Sequence, residues 1–494
     1  MTNPKSTTTV ALVSLLVVVA LGSSACGTKQ GAIAMSQTGG TPAQRAIYRA
    51  EATLAGPVTT GHVIEPLSAH SLDLAASGYT EQEYFASGTA HAFKANSSPR
   101  DGKWSVTPTT SAPYRTRILV RRPTNPAHFN GTVVVEWMNV SSGESAPDWD
   151  YLNPSLMTDG YAYVAVSAQS LGVDGGIPIL GSAAGGSNGG LVGAEPARYG
   201  TLQHPGDQYA MDMFAQIGNA LRSPHGTVLG GLRPKHIVAT GESQSAFYLT
   251  TFADALQPLT GTFDGIFIHS RGGTGAPLSG SSITSNQGVS GLQIRDDLSV
   301  PVFMFETQTD LIELGYVAAR QPNTNRIRTW EVAGTSHADE YLVGPAAGLL
   351  GCTTPVNNGP QHEVVQAAFA AFHKWVDNGT PPAEPAPFRL DGANPVALAL
   401  DSHGNVIGGV RTPAVDVPVS TLSGAAPAGA SAICSLFGST TPLTAQTLLG
   451  LYRNKGNFLA LYQASLDKAI DGGFILPADR AGLLAQAQEV PLSA

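Results

Sequence analysis

The stretch most able to do chemistry is Ile237-Val238-Ala239-Thr240-Gly241-Glu242-Ser243-Gln244-Ser245-Ala246. An apolar run meets a glycine, then a serine, then residues that suit a helix. This is one residue away from G-x-S-x-G, the turn that thrusts a nucleophilic serine out between a strand and a helix. The turn is sharp, so strand and helix approach closely two positions either side of the serine, and only small side chains fit there. Gly241 meets the first requirement. Ser245 stands where the second glycine is usual and is still small. A serine that merely capped a helix would need no glycine two places earlier.

A hydroxyl of this kind attacks a carbonyl only when a base takes its proton and an acid orients that base. Downstream lie His269, His337, His362, His373 and His403. His337 follows an apolar run and a glycine in Trp330-Glu331-Val332-Ala333-Gly334-Thr335-Ser336-His337, which reads as a loop leaving the C-terminal end of a strand. Open α/β sheets gather their functional groups there. His362 and His373 sit at or in a helix and read as surface residues, and His403 lies in a turn. The acid belongs at the end of the preceding strand, where Glu306 and Asp310 compete. Asp310 is favoured because a loop side chain can bend toward the histidine, and Glu306 remains the alternative. Asp339 and Glu340 read as solvated. The backbone N–H of Gln244 is the expected first donor to an oxyanion, with Asn139, in the loop after residues 132–137, as the second. Arg271 could hold an acidic substrate group or serve a structural salt bridge. Trp137 and Trp149 could line a pocket, although tryptophans at such positions often belong to the core.

These residues need a frame. Residues 114–120 alternate apolar and polar, as a half-buried strand does. Residues 132–137 (TVVVEW) and 161–167 (YAYVAVS) are nearly continuous apolar runs, as buried parallel strands are. Further strands are expected at 236–240, 263–269, 300–305 and 327–332, with helices at 151–158, 208–222, 245–255 and 363–376. Alternating strands and helices predict an α/β fold: an open, mostly parallel sheet flanked by helices. The glycine-rich residues 172–200 read as a loop and the best lid candidate. A proline-rich break at 381–387 introduces a C-terminal extension, 381–494, expected to pack on the domain formed by 46–380, with possible strands at 396–400 and 406–410 and a helix at 456–470.

Residues 10–22 (VALVSLLVVVALG) form an uncharged apolar run behind Lys5. At about 1.5 Å per helical residue this run is too short for a bilayer core of roughly 30 Å. With the small residues Ser23-Ser24-Ala25 it reads as an export signal over 1–26. Cys26 directly afterwards resembles the lipidated cysteine of a bacterial lipoprotein, although Ser23 stands where a leucine is usual. Lipidation there would give a membrane tether, with residues 27–45 as a flexible spacer. Cys352 and Cys434 remain, and in an exported chain they could form a disulfide.

The chain has 494 residues, with 27 basic and 36 acidic side chains and a net charge of −9. Apolar residues make up 42% and charged residues 13%, enough to build a large core and exclude wholesale disorder. The acidic balance argues against nucleic acid as a partner. Without H-E-x-x-H, a C-x-x-C pair or a P-loop, neither a metal nor a nucleotide cofactor is expected.

The runs GTVVVEWMNVSSG, GYAYVAVSAQSLGV, GESQSA and RTWEVAGTSHADEY occur in this order, with PAVDVP at 413–418 and Leu451-Tyr452 following. Together they resemble a bacterial α/β-hydrolase-domain family, from about residue 50 to near the C-terminus. The resemblance implies an α/β-hydrolase fold and an esterase-like triad, carried onto Ser243, His337 and Asp310 in the order serine, acid, histidine. The function expected is a secreted or envelope-anchored serine hydrolase that cleaves small-molecule or lipid esters through an acyl-enzyme. The competing readings are a non-catalytic binding protein on the same scaffold, and an acyltransferase or peptidase using the same residues.

Overall fold

The computed structural model describes residues 41–492, apart from 69, 71, 182–188, 224–226, 286 and 393–394. The export signal, Cys26 and residues 27–40 of the expected spacer lie outside the described residues. At its end a helix runs over Pro42–Tyr48, started by a capping box between Thr41 and Gln44.

The organising feature is one nine-stranded sheet: β1 (Thr53–Ala55), β2 (Tyr79–Ser97), β3 (Ser105–Pro123), β4 (Thr132–Trp137), β5 (Ala162–Val166), β6 (His236–Glu242), β7 (Gly265–His269), β8 (Val302–Glu306) and β9 (Ile327–Glu331). Their spatial order is β1-β2-β3-β5-β4-β6-β7-β8-β9. The first three strands pair antiparallel, and β3 pairs antiparallel with β5. From β5 to β9 every pairing is parallel. The expected strand at 114–120 is only the inner end of β3. That strand and β2 form a long ribbon, whose register shifts between His91 and Phe93 and again between Ala95 and Ser97.

Period-two geometry explains why the parallel strands are apolar along their whole length. Val133, Val135 and Trp137 of β4 enter one core, while Val134 enters the other. Ile266 and Ile268 of β7 face the first core and Phe267 the second; Val302 and Met304 of β8 face the first, Phe303 and Phe305 the second. The helices Ala210–Arg222 and Gln244–Ala255 fill the first layer, and Pro147–Thr158 and Gln361–Asn378 fill the second.

Chain order reverses around β4: the connection to β5 leaves on one side, and the chain returns past β4 to β6. The C-terminal ends of β4 and β6 therefore flank a topological switch point, the place where open α/β sheets bind ligands. The loop holding Asn139 and the turn holding Ser243 both end there.

Residues 40–494 cluster as one unit, so the C-terminal segment is not separate. Phe388, Val406, Val415 and Leu422 join the first core, and Val410 bridges Val332 just beyond β9. The expected strands at 396–400 and 406–410 reduce to a two-residue pairing of Leu390–Asp391 with Ala397–Leu398, plus isolated bridges. The helix expected at 456–470 runs over Lys455–Asp471. Cys352 and Cys434 are joined in a disulfide, with Cα atoms 5.6 Å apart. Within 172–200, the described parts are not one loop: short helices cover Ser170–Asp174, Gly190–Ala194 and Pro196–Tyr199. Residues 182–188 of that lid candidate lie outside the described residues.

Candidate active site

The chain passes from β6 to the helix Gln244–Ala255 through a single residue, Ser243, with φ 58° and ψ −121°. Side chains other than glycine seldom occupy that backbone region, and where one does it marks stored strain. The turn is as cramped as the sequence requires. A Cβ on Gly241 would lie 2.9 Å from Ser245 Cβ and 3.1 Å from Leu249 Cδ1. The Ser243 N–H donates to His269 O at 3.0 Å, which ties the turn to the neighbouring strand.

Ser243 Oγ lies 2.6 Å from His337 Nε2. His337 Nδ1 lies 2.6 Å from Asp310 Oδ1. With the ring proton on Nδ1, facing the carboxylate, Nε2 is left to accept from the serine hydroxyl. Asp310 is fixed in turn by Thr307, whose N–H and hydroxyl donate to Oδ2 at 2.7 and 2.8 Å. The reason is local: Thr307 caps the short helix Gln308–Ile312, and Asp310 is its capping-box partner. The His337 N–H donates to Thr309 Oγ1 at 3.1 Å. Burial opposes charge on His337, but the Asp310 carboxylate, its hydrogen bond and nearby Glu242 prevail and raise the imidazole above its ordinary value. Burial likewise opposes charge on Asp310, yet His337 and the Thr307 bonds hold it below the ordinary aspartate value.

The family model described as alpha/beta hydrolase domain matches residues 54–485. The chain belongs to the alpha/beta hydrolase domain family. No curated protein matches it. Among solved structures, it is similar to a fungal esterase from Rhizomucor miehei at 10% identity, covering 58% of this chain and 84% of that one, with a TM-score of 0.32. It is also similar to a glucuronoyl esterase from Solibacter usitatus (10% identity, 59% and 86% covered, TM-score 0.27). A third is a dienelactone hydrolase-like promiscuous phosphotriesterase from metagenomic libraries (12%, 59% and 97%, TM-score 0.28). At such scores these likenesses carry no weight for activity.

Several expected site residues of this alpha/beta hydrolase sit elsewhere. Glu306, the alternative acid, ends β8 fully buried, and neither of its carboxylate oxygens has a hydrogen-bond partner. Burial, reinforced by Asp310, pushes it well above the ordinary glutamate value, and His337 turns its Nδ1 to Asp310 instead. Arg271 cannot reach substrate: it is fully buried, donates to the carbonyls of Gly272 and Leu292, and lies 5.6 Å over the Tyr316 ring. It makes no ion pair among the described residues, so the salt-bridge alternative is not its role either. Trp137 is fully buried core: it stacks on Tyr248 at 4.8 Å, and its Nε1 donates to Gln169. Trp149 is largely buried beneath the Arg121 guanidinium at 4.4 Å and does line a cavity, of about 450 Å³, together with Glu65, Glu81, Arg121 and Asp150. His362 stacks on Tyr341 at 3.7 Å, and His373 bonds to Thr132 and Tyr161, so neither is a simple surface residue. Asp339 is fully buried rather than solvated, accepting from the Tyr151 hydroxyl and the Leu342 N–H.

Asn139 lies beside the serine turn in another role. Its backbone N–H is committed to Ser145 O at 2.9 Å, so it cannot serve an oxyanion. Its side chain is a brace: Nδ2 donates to the carbonyl and a carboxylate oxygen of Glu242, and Oδ1 accepts from the Ser141 N–H. The N–H in this loop that faces the serine turn belongs to Val140, and it donates to Gln244 Oε1 at 3.2 Å. The ladder of the helix Gln244–Ala255 starts with Phe247 N–H to Ser243 O, which leaves the Gln244 N–H at the helix end, ahead of the ladder.

Beneath the serine lies a buried polar cluster that sequence reasoning missed. Glu136 accepts from the N–H groups of Asp148 and Trp149 and from the Tyr163 hydroxyl, closing the start of the helix Pro147–Thr158. Asp148 holds the Thr240 hydroxyl and His269 Nδ1, the latter at 2.8 Å. Glu242 lies with its carboxylate 3.6 Å from His337 Nε2. The one signal available was a run of acidic residues at apolar strand ends, which sequence alone does not separate from solvated loop positions.

The C-terminal segment reaches the same loops. Gly424 accepts from Thr309 Oγ1 and donates to Gln308 Oε1. On the other side of His337, Leu436 O accepts the Ala338 N–H at 3.1 Å, and Phe437 O accepts from Ser336 Oγ at 3.2 Å. Among the described residues no group of three His, Cys, Asp or Glu side chains is arranged to hold a metal ion, and no helix is long and apolar enough to cross a membrane.

Proposed function

We propose that the protein is a serine hydrolase acting on carboxylic esters through an acyl-enzyme. The observation that carries this reading is a serine on a left-handed turn with its Oγ 2.6 Å from an imidazole whose other nitrogen is 2.6 Å from a buried carboxylate. Ser243 Oγ attacks the acyl carbon as its proton passes to His337 Nε2. Asp310 holds the ring in the tautomer that can accept this proton and stabilises the imidazolium. The tetrahedral oxyanion is met by the Gln244 N–H and by the Val140 N–H, which exchanges the Gln244 side-chain oxygen for the substrate oxygen. Each such donor contributes about 2.7–4 kcal/mol to the transition state. The proton then goes to the leaving alcohol. Water, activated by the same imidazole, releases the acid.

The Cys352–Cys434 disulfide supports export to an oxidising compartment, and Cys26 would anchor the exported protein by a lipid. The substrate class is a small-molecule or lipid ester. A panel of esters with graded acyl length, assayed on wild type and Ser243→Ala, tests the proposal. Turnover in the wild type, abolished in a folded variant, is expected. Equal turnover in both would refute it.

A further inference from the structure

The site has a carboxylate that the scheme above does not use. Glu242 ends β6, immediately before the elbow serine, and is buried. Its Oε1 lies 3.6 Å from His337 Nε2, the same nitrogen that faces Ser243 Oγ at 2.6 Å. That separation is too long for a hydrogen bond and short enough for a strong charge interaction in a buried setting. Its other oxygen accepts from Asn139 Nδ2 at 3.3 Å, and Asn139 Nδ2 also holds the Glu242 carbonyl at 3.2 Å. Asn139 therefore fixes both ends of the residue. The carboxylate cannot swing away from the ring without breaking a bond to a side chain that is itself pinned by the Ser141 N–H.

We propose that Glu242 is a positioning residue for His337, a second carboxylate that stabilises the imidazolium from its Nε2 side while Asp310 does so from the Nδ1 side. The inference rests on the serine-hydrolase reading for its consequence in turnover. As the Oγ–C bond forms, the Ser243 proton moves to Nε2 and the ring becomes cationic between two acids. Glu242 does not take the serine proton, which leaves with the alcohol when the tetrahedral intermediate collapses; from about pH 7 upward its carboxyl faces the cationic ring as an anion.

The groups that set the charge on Glu242 come from every element around it. Its carboxyl is pushed up to about 7 in all: burial raises it most, His337 and His269 pull it back, and Asp148 and Asp310 raise it. The buried Tyr151 hydroxyl also feels its charge. The sign of the effect on His337 follows. Burial lowers the imidazole, whereas Asp310 and then Glu242 raise it. Removing the Glu242 charge must therefore let the imidazole lose its proton at lower pH.

The test is Glu242→Gln, which keeps the shape and an acceptor oxygen. The acid limb of kcat/KM, which reports the free-enzyme base, is expected to move to lower pH by at most about one unit, a tenfold change in the deprotonated fraction, because Glu242 itself takes up a proton near 7. The value of kcat should fall about tenfold with KM nearly unchanged. Glu242→Asp, which keeps the charge but withdraws it, should fall between. A second readout needs no turnover: the Cε1–H resonance of His337, titrated by NMR in Ser243→Ala and in Ser243→Ala/Glu242→Gln, should show the same downward shift. Superimposable titrations in folded proteins would overturn the role of Glu242. A chain with no esterase activity would instead sink the hydrolase reading, and the NMR titration would still decide the Glu242–His337 coupling.

Discussion

Removing the disulfide is expected to affect stability and catalysis together. Cys352 and Cys434 are 82 positions apart. Closing a loop of that length restricts the unfolded chain by about 4.5 kcal/mol at 25 °C on the chain-entropy relation. The closed loop contains the helix Gln361–Asn378, which packs on the sheet, and Gly424, which holds Gln308 and Thr309. Cys434 lies in the short helix Ala432–Phe437, whose last carbonyls hold Ala338 and Ser336 on either side of His337. Asn357, a few residues beyond Cys352, donates to Phe437 O and accepts from the Glu340 N–H. The double variant Cys352→Ser/Cys434→Ser should therefore melt about 5 °C below the wild type, from the unfolding entropy of a unit of this size. Below its melting temperature it should lose more in kcat than in KM, because the loosened element positions the imidazole and not the substrate. Calorimetry and steady-state ester hydrolysis at a temperature where both proteins are folded would read the two effects. A variant that melts with the wild type would refute the loop-entropy argument. Full kcat despite a lowered melting temperature would refute the claim that the C-terminal segment steadies the histidine.

The other expectations concern single side chains. Asp310→Asn keeps the shape but not the charge that fixes the ring tautomer, so kcat should fall by about 10³–10⁴ with little change in KM; equal loss in Glu306→Gln would contradict the assignment. Gly241→Ala places a methyl 2.9 Å from Ser245 Cβ, and should cost about 1–3 kcal/mol in chemical denaturation and nearly all activity. Trp137→Phe removes an indole stacked in the core and its bond to Gln169, so it should lower stability by about 1–3 kcal/mol and leave the ester preference unchanged; a shifted acyl-length profile would restore it to the pocket. Burial holds Asp339 at about 6 against an unfolded value near 3.8, so the folded state binds the extra proton and its contribution falls as pH rises between these values. Asp339→Asn, which still accepts from Tyr151, should flatten that part of the profile of unfolding free energy against pH, read by chemical denaturation, by an amount on the order of 2–3 kcal/mol.

The parts of the fold readable from the sequence are those with local causes. Runs such as TVVVEW and YAYVAVS are apolar on both faces because both faces are covered, and the structure places them as β4 and β5. The elbow was legible because its cramped geometry restricts residue types within five positions. The ribbon of β2 and β3 was largely hidden: its outer end is exposed, so its side chains follow no single burial pattern. Long-range commitments were hidden too. Nothing near Asn139 reveals that Ser145 takes its N–H, and nothing near Arg271 reveals that the carbonyl of Leu292 comes to meet its guanidinium. Buried acids such as Glu136, Asp148 and Glu242 read as ordinary polar residues, since their burial depends on partners from other strands and helices.

Ser243 as a nucleophile activated by His337 is open to direct chemical trapping. A fluorophosphonate probe, followed by mass mapping of the labelled peptide, tests it most directly. A single adduct on Ser243 is expected in the wild type, none in Ser243→Ala, and labelling slowed by orders of magnitude in a folded His337→Gln variant. Wild-type protein that is folded yet unlabelled, or labelled at the same rate without His337, would contradict this role.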